Sequence, residues 1–254
     1  MADQQNKWIR RYRAAPEASM QLVCLPHAGG AASYYRPMAM KLFPAVEVLA
    51  VQYPGRQDRV NEPCVDDFAE LAERTLAAVR PALDRPVALF GHSMGALLAF
   101  EVAKRLEADG VVPLALFASA KGPPGRPRPE HLHTASDEEL ISEIAALEGT
   151  DERLLDDDDM RVLFLPALRA DYKALAGYRP DAARARVTCP IVAMTGDNDD
   201  HVSVDDAAAW ADHTTGPFDL HVFPGGHFYL NNQLGDVAAV FKQHVTARST
   251  SPVV

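Results

Sequence analysis

The feature that most constrains the fold is the run Val87-Ala88-Leu89-Phe90, which passes through Gly91-His92-Ser93-Met94-Gly95 into a helix-forming stretch over 94–108. A short, continuously apolar run suits a strand covered on both faces, as in parallel sheets. Gly110 follows the stretch as a C-terminal cap. A strand that turns sharply into a helix is half of a βαβ unit, and the rest of the chain repeats the rhythm. Apolar runs at 21–25, 46–52, 114–119, 191–195 and 220–223 read as strands, with a short edge strand at 9–12. Helices are expected over 33–42, from Asp66 with Phe68, Leu71, Leu76 and Val79 on one face, over 204–213, and over 230–245. The expected class is α/β, a mainly parallel sheet flanked by helices, in one domain over residues 1–254.

Between the fourth and fifth of the inner strands the rhythm breaks. Residues 121–186 open on Gly122-Pro123-Pro124-Gly125-Arg126-Pro127-Arg128-Pro129 and contain no convincing strand. Ser136 and Glu139 fit a capping box ahead of Leu140, Ile141, Ile144 and Leu147. Asp156 to Asp159 place negative charge where a helix would begin before Met160. Pro166 is expected to start a further helix with Leu168, Tyr172 and Leu175 aligned and Gly177 at its end. Ligands of such sheets bind beyond the carboxyl ends of the strands, so a helical insertion there would form a lid.

Composition narrows the partners. With 48% hydrophobic and 24% charged residues, the 254-residue chain can bury a sizeable core. No apolar stretch approaches the roughly 20 residues that span a bilayer, and no apolar run follows the charged residues 1–13, so a cytoplasmic protein is expected. A formal net charge of −10 disfavours nucleic acid and anionic membranes. Cys24, Cys64 and Cys189 lack metal-ligand spacing, and Cys24 and Cys189 read as buried, reduced thiols. A metal and a redox cofactor are not expected, and nothing demands more than a monomer.

The chemistry centres on Ser93. Gly91-His92-Ser93-Met94-Gly95 matches the G-x-S-x-G elbow, which presents a serine on a tight strand-to-helix turn. A serine hydroxyl needs a base. His227, in Pro224-Gly225-Gly226-His227-Phe228 directly after the last strand, is the candidate. His92 adjoins the serine and points elsewhere, whereas His27 and His201 lie on loops that would line the pocket. The imidazole in turn needs a carboxylate. Gly196-Asp197-Asn198-Asp199-Asp200-His201-Val202 offers three: Asp197 reads as a turn former, Asp200 as a solvated neighbour, and Asp199 is preferred on the resemblance below. The backbone N–H of Met94 and one from His27-Ala28-Gly29-Gly30, taken as Ala28, would form an oxyanion hole. Together these imply a serine hydrolase of the α/β-hydrolase fold.

The chain resembles the type II thioesterases that accompany polyketide and nonribosomal peptide synthases. The likeness rests on Pro26-His27-Ala28-Gly29-Gly30, Tyr53-Pro54-Gly55-Arg56-Gln57-Asp58-Arg59, the elbow, Leu165-Pro166-Ala167-Leu168-Arg169-Ala170-Asp171-Tyr172 and Pro224-Gly225-Gly226-His227-Phe228. The family's acid lies in G-x-x-D-x-x-V, which Gly196, Asp199 and Val202 fit. The resemblance implies hydrolysis of acyl thioesters from the phosphopantetheine arm of a carrier protein, through an acyl-enzyme on Ser93. A chain-releasing thioesterase and a small-substrate carboxylesterase are the alternatives, since the same triad serves all three. Carrier proteins are usually acidic, so docking would use local cations: Lys121, Arg126 and Arg128, or Arg56 and Arg59.

Overall fold

The computed structural model describes residues 7–126, 132–147, 158–181 and 185–249. Seven strands form one sheet in the order β1-β3-β2-β4-β5-β6-β7. They are β1 (Ile9–Arg10), β2 (Met20–Leu25), β3 (Val46–Val51), β4 (Val87–His92), β5 (Leu116–Ser119), β6 (Ile191–Gly196) and β7 (Phe218–Phe223). The short β1 pairs antiparallel with β3, and every other pair is parallel. The register aligns the carboxyl ends: Leu25 pairs with Gly91, His92 with Ser119, and Gly196 with Phe223. The loops that leave these ends therefore meet along one edge.

Strand alternation sends successive residues to opposite faces. Val23, Leu25, Leu89, Leu116 and Ile191 pack under α2 (Phe68–Val79) and α3 (Met94–Ala108). Leu22, Cys24, Phe90, Phe117 and Met194 pack under α1 (Arg36–Leu42) and the closing helix that begins at Leu230. The covering of both faces explains why β4 reads as an unbroken apolar run. Cys24 and Cys189 are buried, and no disulfide joins the three cysteines.

Two helices of the insertion are described, α4 (Asp137–Ala146) and α5 (Asp158–Gly177). The capping box at Ser136 and Glu139 forms as expected. Leu132, Leu140, Ile144, Leu165 and Leu168 make a small core of their own, which rests on Ala28. The insertion thus covers the carboxyl edge of the sheet. Short α6 (Val204–Ala208) and long α7 (Leu230–Ser249) complete the layers. No helix among the described residues is long and apolar enough to cross a membrane.

Several boundaries differ from expectation. The helix expected over 33–42 is a 3-10 turn, Ala32–Tyr35, that passes into α1. The helix expected over 204–213 likewise tightens to 3-10 after Ala208. On α2, Thr75 is buried where Leu76 was expected, while Leu76 is only partly covered. Pro166 lies inside α5 rather than at its start. A proline there leaves the carbonyl four residues earlier without its helical donor. That carbonyl belongs to Val162, which is 72% exposed, so water can serve it. Residues 127–129 and Asp156 and Asp157 lie outside the described residues.

Candidate active site

Ser93 stands between β4 and α3 with φ 53° and ψ −119°, a backbone conformation that L-residues avoid. Such a residue costs of order 1–3 kcal/mol and persists only where its surroundings impose it. Here the imposition is visible. The Ser93 N–H donates to the Ser119 carbonyl at 2.8 Å, and the Ser93 carbonyl accepts from Ala96 at 2.9 Å. The two glycines of the elbow are required by close approach. A Cβ on Gly91 would lie 2.0 Å from the Gly95 carbonyl oxygen, and one on Gly95 would lie 2.0 Å from that of Leu25.

The loops after β6 and β7 bring the remaining groups to the serine. His227 Nε2 lies 3.0 Å from Ser93 Oγ, and His227 Nδ1 lies 2.9 Å from Asp199 Oδ2. Asp199 Oδ1 accepts the backbone N–H groups of His201 and Val202 at 2.9 and 3.2 Å. Burial would raise the Asp199 pKa, but the hydrogen bond and charge of His227 and these two N–H groups outweigh it and hold the carboxyl below its ordinary value. Of the three aspartates, the structure brings Asp199 to the histidine. Asp197 accepts from Gly225 N–H at 2.9 Å, the turn role expected for it, and Asp200 is exposed. The two loops touch through main chain: a Cβ on Gly196 would sit 2.2 Å from the Gly225 carbonyl oxygen.

The loop after β2 lies on the other side of Ser93. Gly30 N–H donates to the His27 carbonyl at 2.9 Å, and Gly29 has φ +72°. With Ala28 at negative φ, this is a type II turn, whose third position needs glycine. Met94 is the first residue of α3, so its N–H has no acceptor within the helix. The two expected oxyanion donors, Met94 and Ala28, lie on the segments that leave the carboxyl ends of the neighbouring strands β4 and β2.

Arg56 and Arg59, offered by the sequence as docking cations, are not surface groups. Each side chain is only 5% exposed. Arg56 donates to both oxygens of Asp171 on α5, at 2.7 and 3.0 Å, and to the Gly30 carbonyl at 3.1 Å. Arg59 holds the Gln52 carbonyl and Glu62. Arg126 is 47% exposed with Asp206 at 3.4 Å, and Lys121 gives its carbonyl to Trp210 Nε1. Arg128 lies outside the described residues.

His92 points away from the nucleophile, as expected, but into a network that sequence reasoning missed. Its Nδ1 lies 2.9 Å from Ser119 Oγ, which lies 2.6 Å from the Tyr229 hydroxyl. Ser119 therefore ties the elbow to the loop of His227. No sequence signal marks Ser119. Asp171 did carry one: it falls at helical spacing from Leu168 and Leu175, a carboxylate on an apolar stripe. His27 lines a cavity of about 430 Å³ with Gly29, Tyr34, Phe164 and Ala167. Burial first, then the charges of His227 and Arg56, depress its pKa to about 3, so the ring is neutral. His201 lines a second hollow of about 280 Å³ beside His227 and Gly226. The two histidines thus line different hollows.

Comparison with known proteins places the fold in a family. The family model for the thioesterase domain matches residues 20–244. Thioesterase PikA5 of Streptomyces venezuelae is 45% identical over 249 residues, covering 96% of this chain and 88% of that protein. The type II thioesterase BorB from the borrelidin biosynthetic cluster superposes with a TM-score of 0.87 at 46% identity, covering 96% of this chain and all (100%) of that one. RedJ, a thioesterase of the prodiginine pathway in Streptomyces coelicolor, superposes at 0.82 with 35% identity, covering 91% and 92%. The chain is a member of the thioesterase family on the α/β-hydrolase fold, similar throughout its length to type II thioesterases of polyketide and nonribosomal peptide pathways.

Proposed function

We propose that this protein hydrolyses acyl thioesters carried on the phosphopantetheine arm of synthase carrier proteins, as an editing enzyme, with Ser93, His227 and Asp199 as its catalytic triad. The observation that carries this reading is the chain Ser93 Oγ–His227 Nε2 at 3.0 Å and His227 Nδ1–Asp199 Oδ2 at 2.9 Å, at the carboxyl edge of a thioesterase-family sheet. Ser93 Oγ attacks the thioester carbonyl while His227 Nε2 takes its proton. The carbonyl electrons move to oxygen, where the N–H groups of Met94 and Ala28 stabilise the charge, each by about 2.7–4 kcal/mol. The C–S bond then breaks, and His227 gives its proton to the departing sulfur. Water attacks the acyl-serine with His227 again as base, which releases the carboxylic acid and restores Ser93. Asp199 holds the imidazole in the tautomer with hydrogen on Nδ1 and stabilises its cationic form. No metal or redox group enters these steps.

The test is a panel of acyl-carrier proteins, from acetyl to long-chain, with loss of the acyl group followed by intact-protein mass spectrometry and Ser93→Ala as control. Broad clearance of short groups by the wild type, and a loss on the order of a millionfold in Ser93→Ala, is the expected result. A sharp preference for one long chain would instead identify a chain-releasing enzyme. Rapid hydrolysis of oxygen esters with intact acyl-carrier proteins would identify a carboxylesterase.

A further inference from the structure

We infer that Asp171, on the lid helix α5, and Arg56 are positioning residues that set the oxyanion donor of Ala28. This rests on the reading above that the Ala28 N–H stabilises the reacting oxygen. Ala28 has no polar side chain with which to fix its backbone, and its turn is of a kind whose central peptide can rotate. Types I and II differ chiefly in that rotation. The central peptide here joins Ala28 to Gly29, and its N–H is the one that Asp171 Oδ2 accepts at 2.8 Å. Rotation would withdraw that N–H and turn the Ala28 carbonyl toward a buried carboxylate, so Asp171 selects the observed form. The Ala28 N–H itself lies on the preceding peptide, His27–Ala28, whose carbonyl accepts from Gly30 N–H at 2.9 Å, so a turn held at Gly29 and Gly30 fixes its direction. Arg56 fastens the other end of the turn through the Gly30 carbonyl at 3.1 Å, with the same guanidinium nitrogen that meets Asp171 Oδ2 at 2.7 Å.

The charges matter as well as the bonds. Asp171 is fully buried and close behind a loop at which negative charge develops. An unpaired carboxylate there would oppose that charge in a medium of low dielectric constant. The two-pronged Arg56 neutralises it. The lid helix thereby contributes to the chemistry through the backbone of a loop, and Arg56 also borders the cavity beside His27.

The experiment compares wild type, Asp171→Ala, Asp171→Asn and Arg56→Lys with the propionyl thioester of N-acetylcysteamine. Competent Ser93 is counted by end-point labelling with a fluorophosphonate, and the affinity of an alkyl boronic acid, which forms a tetrahedral adduct on the serine, is measured for each. Asp171→Ala should lower kcat per labelled serine about 30- to 100-fold, less than the 10²–10³ of deleting a donor outright. KM should change little, and boronate affinity should fall in step with kcat. Asp171→Asn keeps an oxygen for Gly29 N–H but turns its NH2 toward the donor Arg56 Nη2, so it should recover only part of the loss, and Arg56→Lys should lie between Asp171→Ala and wild type. A loss carried by KM, or a fall in kcat with boronate affinity unchanged, would assign the pair to lid packing and overturn the inference. Should Asp171→Ala not fold, the loss in Arg56→Lys gives the same reading. Boronate binding does not require turnover. A wild-type protein inert toward thioesters would therefore sink the proposed function and leave this inference to be judged on boronate affinity.

Discussion

Asp199→Asn removes one charge and almost no volume, and the structure dictates how the amide must sit. In the native site Oδ1 accepts two N–H groups, from His201 and Val202, and Oδ2 faces His227 Nδ1 at 2.9 Å. The asparagine oxygen must take the place of Oδ1, because an NH2 group there would meet two donors and forfeit bonds worth about 1–3 kcal/mol each in unsatisfied groups. The NH2 then faces Nδ1, which must become an acceptor. The ring proton moves to Nε2, 3.0 Å from Ser93 Oγ, where it blocks the acceptance of the serine proton. A wrong tautomer of this kind costs about 10⁴ in kcat, or roughly 5 kcal/mol at 1.36 kcal/mol per tenfold. The assay is steady-state hydrolysis of a short acyl thioester of N-acetylcysteamine, with the melting temperature measured alongside. Asp197→Asn and Asp200→Asn serve as neighbours of the same chemistry. Asp197 can keep its bond to Gly225 as an amide, and Asp200 is exposed, so each should stay within about threefold of wild type. A folded Asp199→Asn protein that retains more than a tenth of wild-type kcat would refute the tautomer argument, and a collapse in Asp200→Asn would move the acid to its neighbour.

Three further outcomes are expected. Arg126→Glu should raise KM for an acyl-carrier protein about threefold or more through the lost charge attraction and leave KM for a small thioester unchanged; equal effects on both would exclude docking through this residue. Gly95→Ala drives a Cβ to 2.0 Å from the Leu25 carbonyl oxygen. A cost of about 3 kcal/mol should lower the melting temperature by about 6–12 °C, and an unchanged thermogram would count against the close approach. His27 has a folded pKa of about 3 against an ordinary 6.5, so between those values the unfolded chain binds a proton that the folded one does not. Stability should therefore fall as pH drops below 6.5 and stop falling on this account near 3, and His27→Phe should flatten the stability profile between pH 6.5 and 4.5.

How much of this was legible in the sequence depended on whether the cause was local. The elbow could be read because Gly91 and Gly95 are forced by contacts within one turn of Ser93 and with the adjoining strand. The strands could be read because burial on both faces leaves a continuous apolar run. The acid was harder: three aspartates share one loop, and residue type cannot say which faces His227. The resemblance pointed to it, through the family's G-x-x-D-x-x-V pattern that Gly196, Asp199 and Val202 fit, and Val202 proves to supply one of the N–H groups that hold Asp199. Arg56 and Arg59 were misread because a charged residue in a loop is exposed by default. What buries Arg56 is a carboxylate 115 residues away on an inserted helix. Pro166 was misread for the opposite reason: the rule that a proline opens a helix was applied where solvent exposure at Val162 lets the helix run through. Ser119 was invisible because a serine at a strand end carries no pattern.

The main-chain contact between Gly196 and Gly225 bears on how such an enzyme can be redesigned. The separation of acid and histidine is set by two backbones in touch, not by the side chains that surround them. Residues of α5 such as Phe164 and Ala167 border the cavity beside His27, and Phe164 packs on Gly29, so exchanging Ala167 should reshape the cavity without altering the spacing of Asp199 and His227. On the proposed mechanism, selectivity for the acyl group and competence for bond cleavage are separable variables, and Asp171 is the point on α5 at which a redesign of the first must leave the second alone.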